Sequence, residues 1–186
     1  MELENGYIRA EDGVARPSWA VSSPQMREYY DTEWGYPPVD ERELFEQLSL
    51  ETFQVGLSWS LILKRRAQLR EAFANFDVDE VASWGEDRID AILDAPGMIR
   101  NLRKVAAVLT NARAMQRIRA DGGLYRVLRR LIPPNVTKPA HIDDIPTQTD
   151  YSKRAAKALK ERGFTMVGPV NVFALMQSTG LVNCRL

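Results

Sequence analysis

The chain holds a single cysteine, Cys184, and a single histidine, His141. One cysteine excludes an intramolecular disulfide and a cysteine-rich metal site, and one histidine leaves little for imidazole chemistry. Any reaction must therefore run on carboxylates, hydroxyls, amides and aromatic rings. No apolar run approaches the roughly 20 residues needed to span a bilayer, and the acidic N-terminus lacks the basic-then-apolar layout of a signal peptide. A cytoplasmic protein with no membrane partner is expected. Strand-like alternation and internal repeats are missing too, which points to an all-α fold. Net charge is zero, yet it is unevenly placed: residues 1–96 carry 9 basic and 20 acidic side chains, whereas 97–186 carry 16 and 5. A split of −11 against +11 fits a C-terminal half that meets phosphates and an N-terminal half that supplies an acidic pocket. The plainer alternative is two sets of solvated helix faces.

What the sequence does have is enough apolar content, 45% of 186 residues, to bury a sizeable core in one domain or two small lobes. Residues 1–15, acidic and without apolar periodicity, read as an extension or frayed arm. Residues 16–186 read as a single helical domain, expected to be monomeric. The stretch from Tyr29 to Trp59 sets Tyr29, Tyr30, Trp34, Tyr36, Phe45, Phe53 and Trp59 among the acidic Asp31, Glu33 and Glu51. One reading is an aromatic core with a solvated acidic face. The other is a pocket for a flat, cationic, nitrogen-rich ligand, in which rings supply stacking faces and a carboxylate accepts hydrogen bonds while balancing positive charge.

Helix signals follow in order. Asp40 with Glu43 three residues on marks a start, with Leu44, Phe45 and Leu48 on the buried face. Glu51 falls near the end of that helix or on the next, and a carboxylate in such apolar sequence is costly unless paired. Ser58 is placed to cap a helix to Phe73, and Asp77 with Glu80 starts a short one reaching Trp84, whose ring reads as core. Asp87 to Leu93 is another. Met98 to about Ala120 has helical apolar spacing, with Arg100, Arg103, Lys104, Arg113 and Arg117 between the apolar positions. Leu124 to Ile132 is stopped by Pro133-Pro134, and 135–149 is a loop. Near the end, Asp150 or Ser152 caps a helix bearing Lys153 and Lys157, Gly163 to Pro169 is a tight connection, and Val170 to Thr179 forms a last helix closed by Gly180. Helix, glycine-bounded hairpin, helix, over about 152–179, is the layout of a DNA-binding helix-hairpin-helix. Gly163 and Gly168 would let backbone approach a phosphate, and the second helix would offer free N–H groups with its dipole behind them. The same layout also occurs in ordinary bundles.

Tyr29-x-Asp31-x-Glu33-Trp34-Gly35, Leu44-Phe45-Glu46, Leu50-Glu51 and Gln54-x-Gly56-Leu57-Ser58-Trp59 closely resemble the 3-methyladenine DNA glycosylase I family. So do Arg100-Asn101 with Lys104, Asn111-Ala112, Ile145-Pro146-Thr147, Arg162-Gly163-Phe164, Val167-Gly168 and Met176-Gln177 through Gly180-Leu181-Val182-Asn183. The match spans about Arg16 to Asn183. The resemblance implies a compact bundle of the helix-hairpin-helix DNA glycosylase type and a base-excision-repair enzyme. Such an enzyme hydrolyses the N-glycosidic bond of 3-methyladenine in alkylated double-stranded DNA. It implies that Glu51 accepts hydrogen bonds from the adenine edge and, if ionised, complements the cation, while Tyr29 contributes a hydroxyl and Trp59 stacks on the base. Trp19 and Trp34 would wall the pocket, Gln54 would add a polar contact, and Leu57 is the candidate wedge for the gap left by a flipped nucleotide. Against these roles, each tryptophan reads equally as core and Leu57 as simply buried.

One departure from the family is plain. Many members join their chain ends through a zinc ion held by two Cys and two His, and the matching positions here are Pro17, Tyr30 and Arg185, with the fourth falling beyond Leu186. Neither Cys184 nor His141 restores four ligands. No cofactor is expected, and the ends should close through apolar and aromatic contacts, with Tyr30 and Pro17 the substitutes. The main alternative is a catalytically silent relative that binds DNA or damaged bases, although such a protein would have no need of Tyr29, Glu51 and Trp59 together. A helical scaffold without a nucleic-acid partner fits poorly with the +11 half.

Overall fold

In the computed structural model, which describes residues 6–185, the capping residues sit where the helices start. Ser23 accepts from the Met26 N–H and opens α1, Pro24–Thr32, with Pro24 in the first turn where its missing N–H costs nothing. Asp40 accepts from Glu43 N–H and opens α2, Glu41–Gln54. The Glu43 carboxylate reaches back to the Val39 N–H at 2.6 Å, so both first-turn partners are used. Ser58 caps α3, Trp59–Ala72, and Asp77 caps α4, Val78–Ser83. After α5, Asp87–Asp94, Asn101 accepts from Lys104 N–H and starts α6, Leu102–Ile118. This start lies four residues later than apolar spacing suggested, because the asparagine side chain, not Met98, supplies the cap. α7 is Leu124–Leu131. Thr149, rather than Asp150 or Ser152, caps α8, Asp150–Glu161, in a reciprocal box with Ser152, and α9 is Pro169–Ser178.

The buried face of α2 (Leu44, Phe45, Leu48) meets α6 (Val105, Val108, Ala112, Met115) and α9 (Val172, Leu175, Met176) in one continuous apolar core. Phe45, Phe53, Phe73 and Phe76 are fully buried, and Phe73 and Phe76 stack at 5.7 Å. Trp84 packs on this core with Arg88 over its ring at 5.0 Å. Burying a large aliphatic or aromatic side chain contributes about 1.5–3 kcal/mol, so this core is the main determinant of how α2 and α9 stand relative to each other. These two helices carry much of the pocket described below.

The fold is all-α in its core, with one addition. Strand β1, Tyr7–Arg9, pairs antiparallel with β2, Ala15–Pro17, in the register Tyr7 to Pro17 and Ile8 to Arg16. The frayed arm expected over 1–15 is therefore replaced by a hairpin from Tyr7 onward, while residues 1–5 and Leu186 lie outside the described residues. Two anchors order it. Tyr7 is buried, and its hydroxyl donates to the Cys184 carbonyl at 3.3 Å. Arg16, also buried, forks onto both oxygens of Asp31 in α1 at 2.7 Å and bonds Asp12 at 2.9 Å. Neither anchor has a sequence signal, because both are set by tertiary partners far along the chain.

Candidate active site

Helix α1 turns Met26 and Tyr29, three residues apart, to one face. Helix α2 brings Glu51 and Gln54, α3 brings Trp59 at its first position, and α9 brings Ala174 and Gln177. With Trp19 and Trp34 these residues line a pocket of about 230 Å³. That is smaller than the roughly 300–1,000 Å³ of sites for drug-sized ligands and suits one flat base. A larger cavity, about 530 Å³, lies between Pro37, Glu41, Arg119 and Tyr125. Its charged groups are already partnered: Asp40 caps α2, and Glu41 forks onto Arg119.

Asp31, Glu33 and Glu51, the acids set among the rings, have different fates. Asp31 pairs with Arg16, and Glu33 pairs with Arg66, which also holds the buried Glu46 at 2.6 Å. Glu51 alone has neither a hydrogen bond nor an ion pair among the described residues, and it is only 5% exposed. Burial pushes its carboxyl up from an ordinary 4.5 to about 8. At neutral pH the empty pocket thus holds a mostly neutral acid, which an entering cation would cause to ionise. Tyr29 is similarly buried, and its hydroxyl pKa is raised by burial first and by the nearby Glu51 and Glu33 next. Its oxygen makes no hydrogen bond of good geometry; the neighbouring Ser178 hydroxyl, which donates to the Leu175 carbonyl, is the smallest influence on it and pulls its pKa the other way. The Trp59 indole N–H is also buried without a partner. Unpaired buried polar groups cost about 1–3 kcal/mol each, so three such groups on residues lining one cavity make it the candidate recognition site. The Tyr29 and Trp59 rings stand 5.3 Å apart at 50°, and Trp19, Tyr30 and Trp34 form a second aromatic cluster with centroids 5.4–5.6 Å apart.

At the pocket's edge, the Gln54 amide donates to the Leu57 carbonyl at 3.2 Å and shapes the turn through Gly56, whose φ is +77°. Leu57 is partly buried and packs on the core. Lys104 was read as one cation among several between the apolar positions of α6, yet it is buried. Its ammonium donates to the carbonyls of Phe53 and Val55, each at 2.6 Å. Those carbonyls are orphans at the end of α2, so the cation both caps the helix and complements its dipole. Met26, Ala174 and Gln177 were not foreseen as pocket residues. Gln177 had a signal in the Met176-Gln177 match, whereas Met26 and Ala174 had none.

The α8–α9 connection is held from below by Asn111, whose side-chain amide exchanges two hydrogen bonds with the Thr165 backbone at 2.8 and 3.1 Å. Gly163 has a left-handed φ of +85° and Gly168 an extended backbone with φ −84°; between them Met166 is also left-handed. The start of α9 has no side-chain cap, because Gly168 is the capping residue. Lys153 and Lys157 are exposed on α8, Lys153 pairing with Asp150 at 3.0 Å and Lys157 reaching Glu161 at 4.0 Å.

The chain's two described ends meet beside Trp34, through the Tyr30 ring as expected and through polar contacts that were not. The Arg185 guanidinium donates to the carbonyls of Tyr30 and Trp34 and lies over the rings of Tyr30 and Tyr36. Pro17 offers no donor atom and Arg185 is a cation, so the positions that would match a zinc site do not suit one. Among the described residues no group of three or more His, Cys, Asp or Glu could hold a metal ion. No helix among them is long and apolar enough to cross a membrane.

Comparison with known proteins gives the same picture from outside. DNA-3-methyladenine glycosylase 1 of Escherichia coli K12 is 36% identical over 175 residues, covering 91% of this chain and 92% of its own. A crystal structure of 3-methyladenine DNA glycosylase I matches with a TM-score of 0.80 at 38% identity, over 89% of this chain and 93% of that one. Another, of a variant 3-methyladenine DNA glycosylase I in complex with 3-methyladenine, matches at 0.78 and 30% identity over 86% and 88%. A family model described as methyladenine glycosylase matches residues 19–186, and with these relatives it shows that the chain belongs to the methyladenine glycosylase family.

Proposed function

We propose that this protein is a base-excision-repair glycosylase that hydrolyses the N-glycosidic bond of 3-methyladenine in alkylated double-stranded DNA. The observation that carries the reading is a base-sized pocket lined by Glu51, Tyr29 and Trp59, three residues whose buried polar groups make no hydrogen bond of good geometry within the protein. N3 methylation makes the base cationic, so it departs as a neutral molecule and needs little acid catalysis. The work left to the protein is to extract the nucleotide, recognise the base and let water reach the sugar carbon. A cation entering the pocket lowers the Glu51 pKa, the carboxyl releases its proton, and the resulting pair is neutral overall. Stacking on Trp59 is stronger for the cation than for ordinary adenine, which adds selectivity. Trp19 and Trp34 wall the base, Gln54 contacts its edge, and Tyr29 hydrogen-bonds it or holds Glu51.

Leu57, at the tip of the Gly56 turn, serves as the wedge in the vacated stack. The α8–α9 hairpin, with Gly163, the open N-terminus of α9 and the Lys153 and Lys157 cations, takes the phosphates. The protein acts as a cytoplasmic monomer without zinc or other cofactor, as a single domain over 16–186. The test is to incubate purified protein with alkylated duplex DNA and assay released bases. Release of 3-methyladenine by the native chain, lost in Glu51→Gln and Trp59→Ala, supports the reading. Tight binding of the lesion without release points to a silent relative.

A further inference from the structure

Arg185 stands at a position where family resemblance puts a zinc ligand, and it makes three kinds of contact at once. Its Nη1 donates to the carbonyls of Tyr30 and Trp34, which lie where the chain leaves α1. The last carbonyls of a helix have no intrahelical partner, and a cation there also complements the helix dipole. The guanidinium carbon sits 4.3 Å from the Tyr30 ring centroid and 4.6 Å from that of Tyr36, so it contacts two rings. The aliphatic stem lies against Gly35, where a Cβ would come within 2.7 Å of Arg185 Cδ. Gly35 in turn donates its N–H to the Ser178 carbonyl at 2.8 Å. A Cβ on Gly180 would strike the Gly35 carbonyl at 2.7 Å.

These contacts bear directly on the pocket. Tyr30 stacks on Trp34 at 5.5 Å and 23°, and both rings meet Trp19 edge-on. Trp19 and Trp34 line the pocket. We propose that Arg185 is a positioning residue, a non-metal latch that joins the chain's C-terminal end to α1 and sets the Trp19–Trp34 wall against which the base is held. In this chain one guanidinium takes over the joining role of a metal, and it fixes the wall as well as the ends. Arginine is required because a lysine can donate to the two carbonyls but cannot lie flat on two rings.

The assignment of a base to the pocket rests on the proposed function; the latch itself does not. The experiment compares the native protein with R185A, R185K and Y36L, the last removing one ring on the exposed side. Tryptophan emission and melting are measured without ligand, and affinity is measured with free 3-methyladenine as the probe. R185A should shift the emission, lower the melting temperature and weaken 3-methyladenine binding about tenfold, while undamaged duplex binds as before. R185K should recover only about half of that loss on a logarithmic scale, and Y36L should weaken binding about threefold in a folded protein. A chelator should leave native melting unchanged. Native emission and affinity in folded R185A would overturn the latch; if R185A does not fold, native values in both R185K and Y36L would do so. A chelator-induced drop in melting would assign the closure to a metal instead. Should the native protein fail to bind 3-methyladenine, the functional reading fails alone, because emission and melting still report the latch.

Discussion

Replacing Glu51 by glutamine separates the carboxyl's cost from its use. Its folded pKa, about 8, lies above the ordinary 4.5. Below pH 4.5 the group is neutral whether the chain is folded or not, and it contributes no pH dependence. Between 4.5 and 8 the unfolded chain loses the proton and the folded chain keeps it, so stability falls by about 1.4 kcal/mol for each pH unit. Above 8 the loss levels off near 3.5 units, or about 5 kcal/mol, an upper figure for a pocket that opens to water. Glutamine is neutral throughout and carries none of this slope. For a chain of this size each kcal/mol moves the melting temperature by about 2–4 °C. Between pH 5 and pH 9 the native protein loses about 4 kcal/mol of stability this way, so Glu51→Gln should gain about 8–16 °C on it over that range, apart from any constant offset. Excision should move the other way. Native kcat/KM should rise with pH as the carboxyl ionises through about 8, and the glutamine variant should be slower and flat with pH, since its amide offers donors where acceptors are wanted. Melting curves at five pH values and single-turnover excision at the same values make the comparison. Parallel pH–stability curves for the two proteins would refute the reasoning, because they would mean that Glu51 is paired or solvated.

Other residues give independent tests. Lys104→Met should unpin the end of α2, costing about 2–3 kcal/mol in urea titration through two orphaned carbonyls, and should lower excision at least tenfold with the Glu51 pH profile displaced. An unchanged profile would make Lys104 purely structural. Changing Lys153 and Lys157 together to alanine should weaken binding to damaged and undamaged duplex alike and flatten the log–log salt slope by about 1–2; a defect confined to damaged duplex would move them to lesion recognition. Tyr30→Ala empties a buried site and should destabilise by about 3 kcal/mol, read as a melting drop of about 6–12 °C that a chelator does not deepen.

The helices were legible in the sequence because their signals are local. Asp40, Ser58 and Asp77 cap the helices they were expected to cap, since a side chain bonding an N–H two or three residues on depends on nothing distant. The hairpin was not legible, because Tyr7 and Arg16 are ordered by Cys184 and Asp31, partners that only the fold brings near. Helix α1 has a readable start of its own in Ser23-Pro24. In the site, Glu51, Tyr29 and Trp59 could be named together through family spacing, yet nothing in the sequence showed that Asp31 and Glu33 are paired while Glu51 is not. That distinction needed the positions of Arg16 and Arg66. Lys104 misled for the same reason: a lysine at the start of an amphipathic helix normally faces water, and this one is drawn inward by the carbonyls ending another helix.

The hydrogen bond from Tyr7 to Cys184 sets two residues 177 apart in sequence within 3.3 Å, so the backbone nearly closes on itself beside the pocket wall. A circular permutant whose short linker joins Tyr7 to Arg185 should fold, with new ends cut in the exposed Pro133–Lys138 segment. It would also be a sensitive reporter, since linker length then acts on Tyr7 and Arg185 together. A label is accordingly safest on the side of the molecule opposite Tyr7 and Arg185.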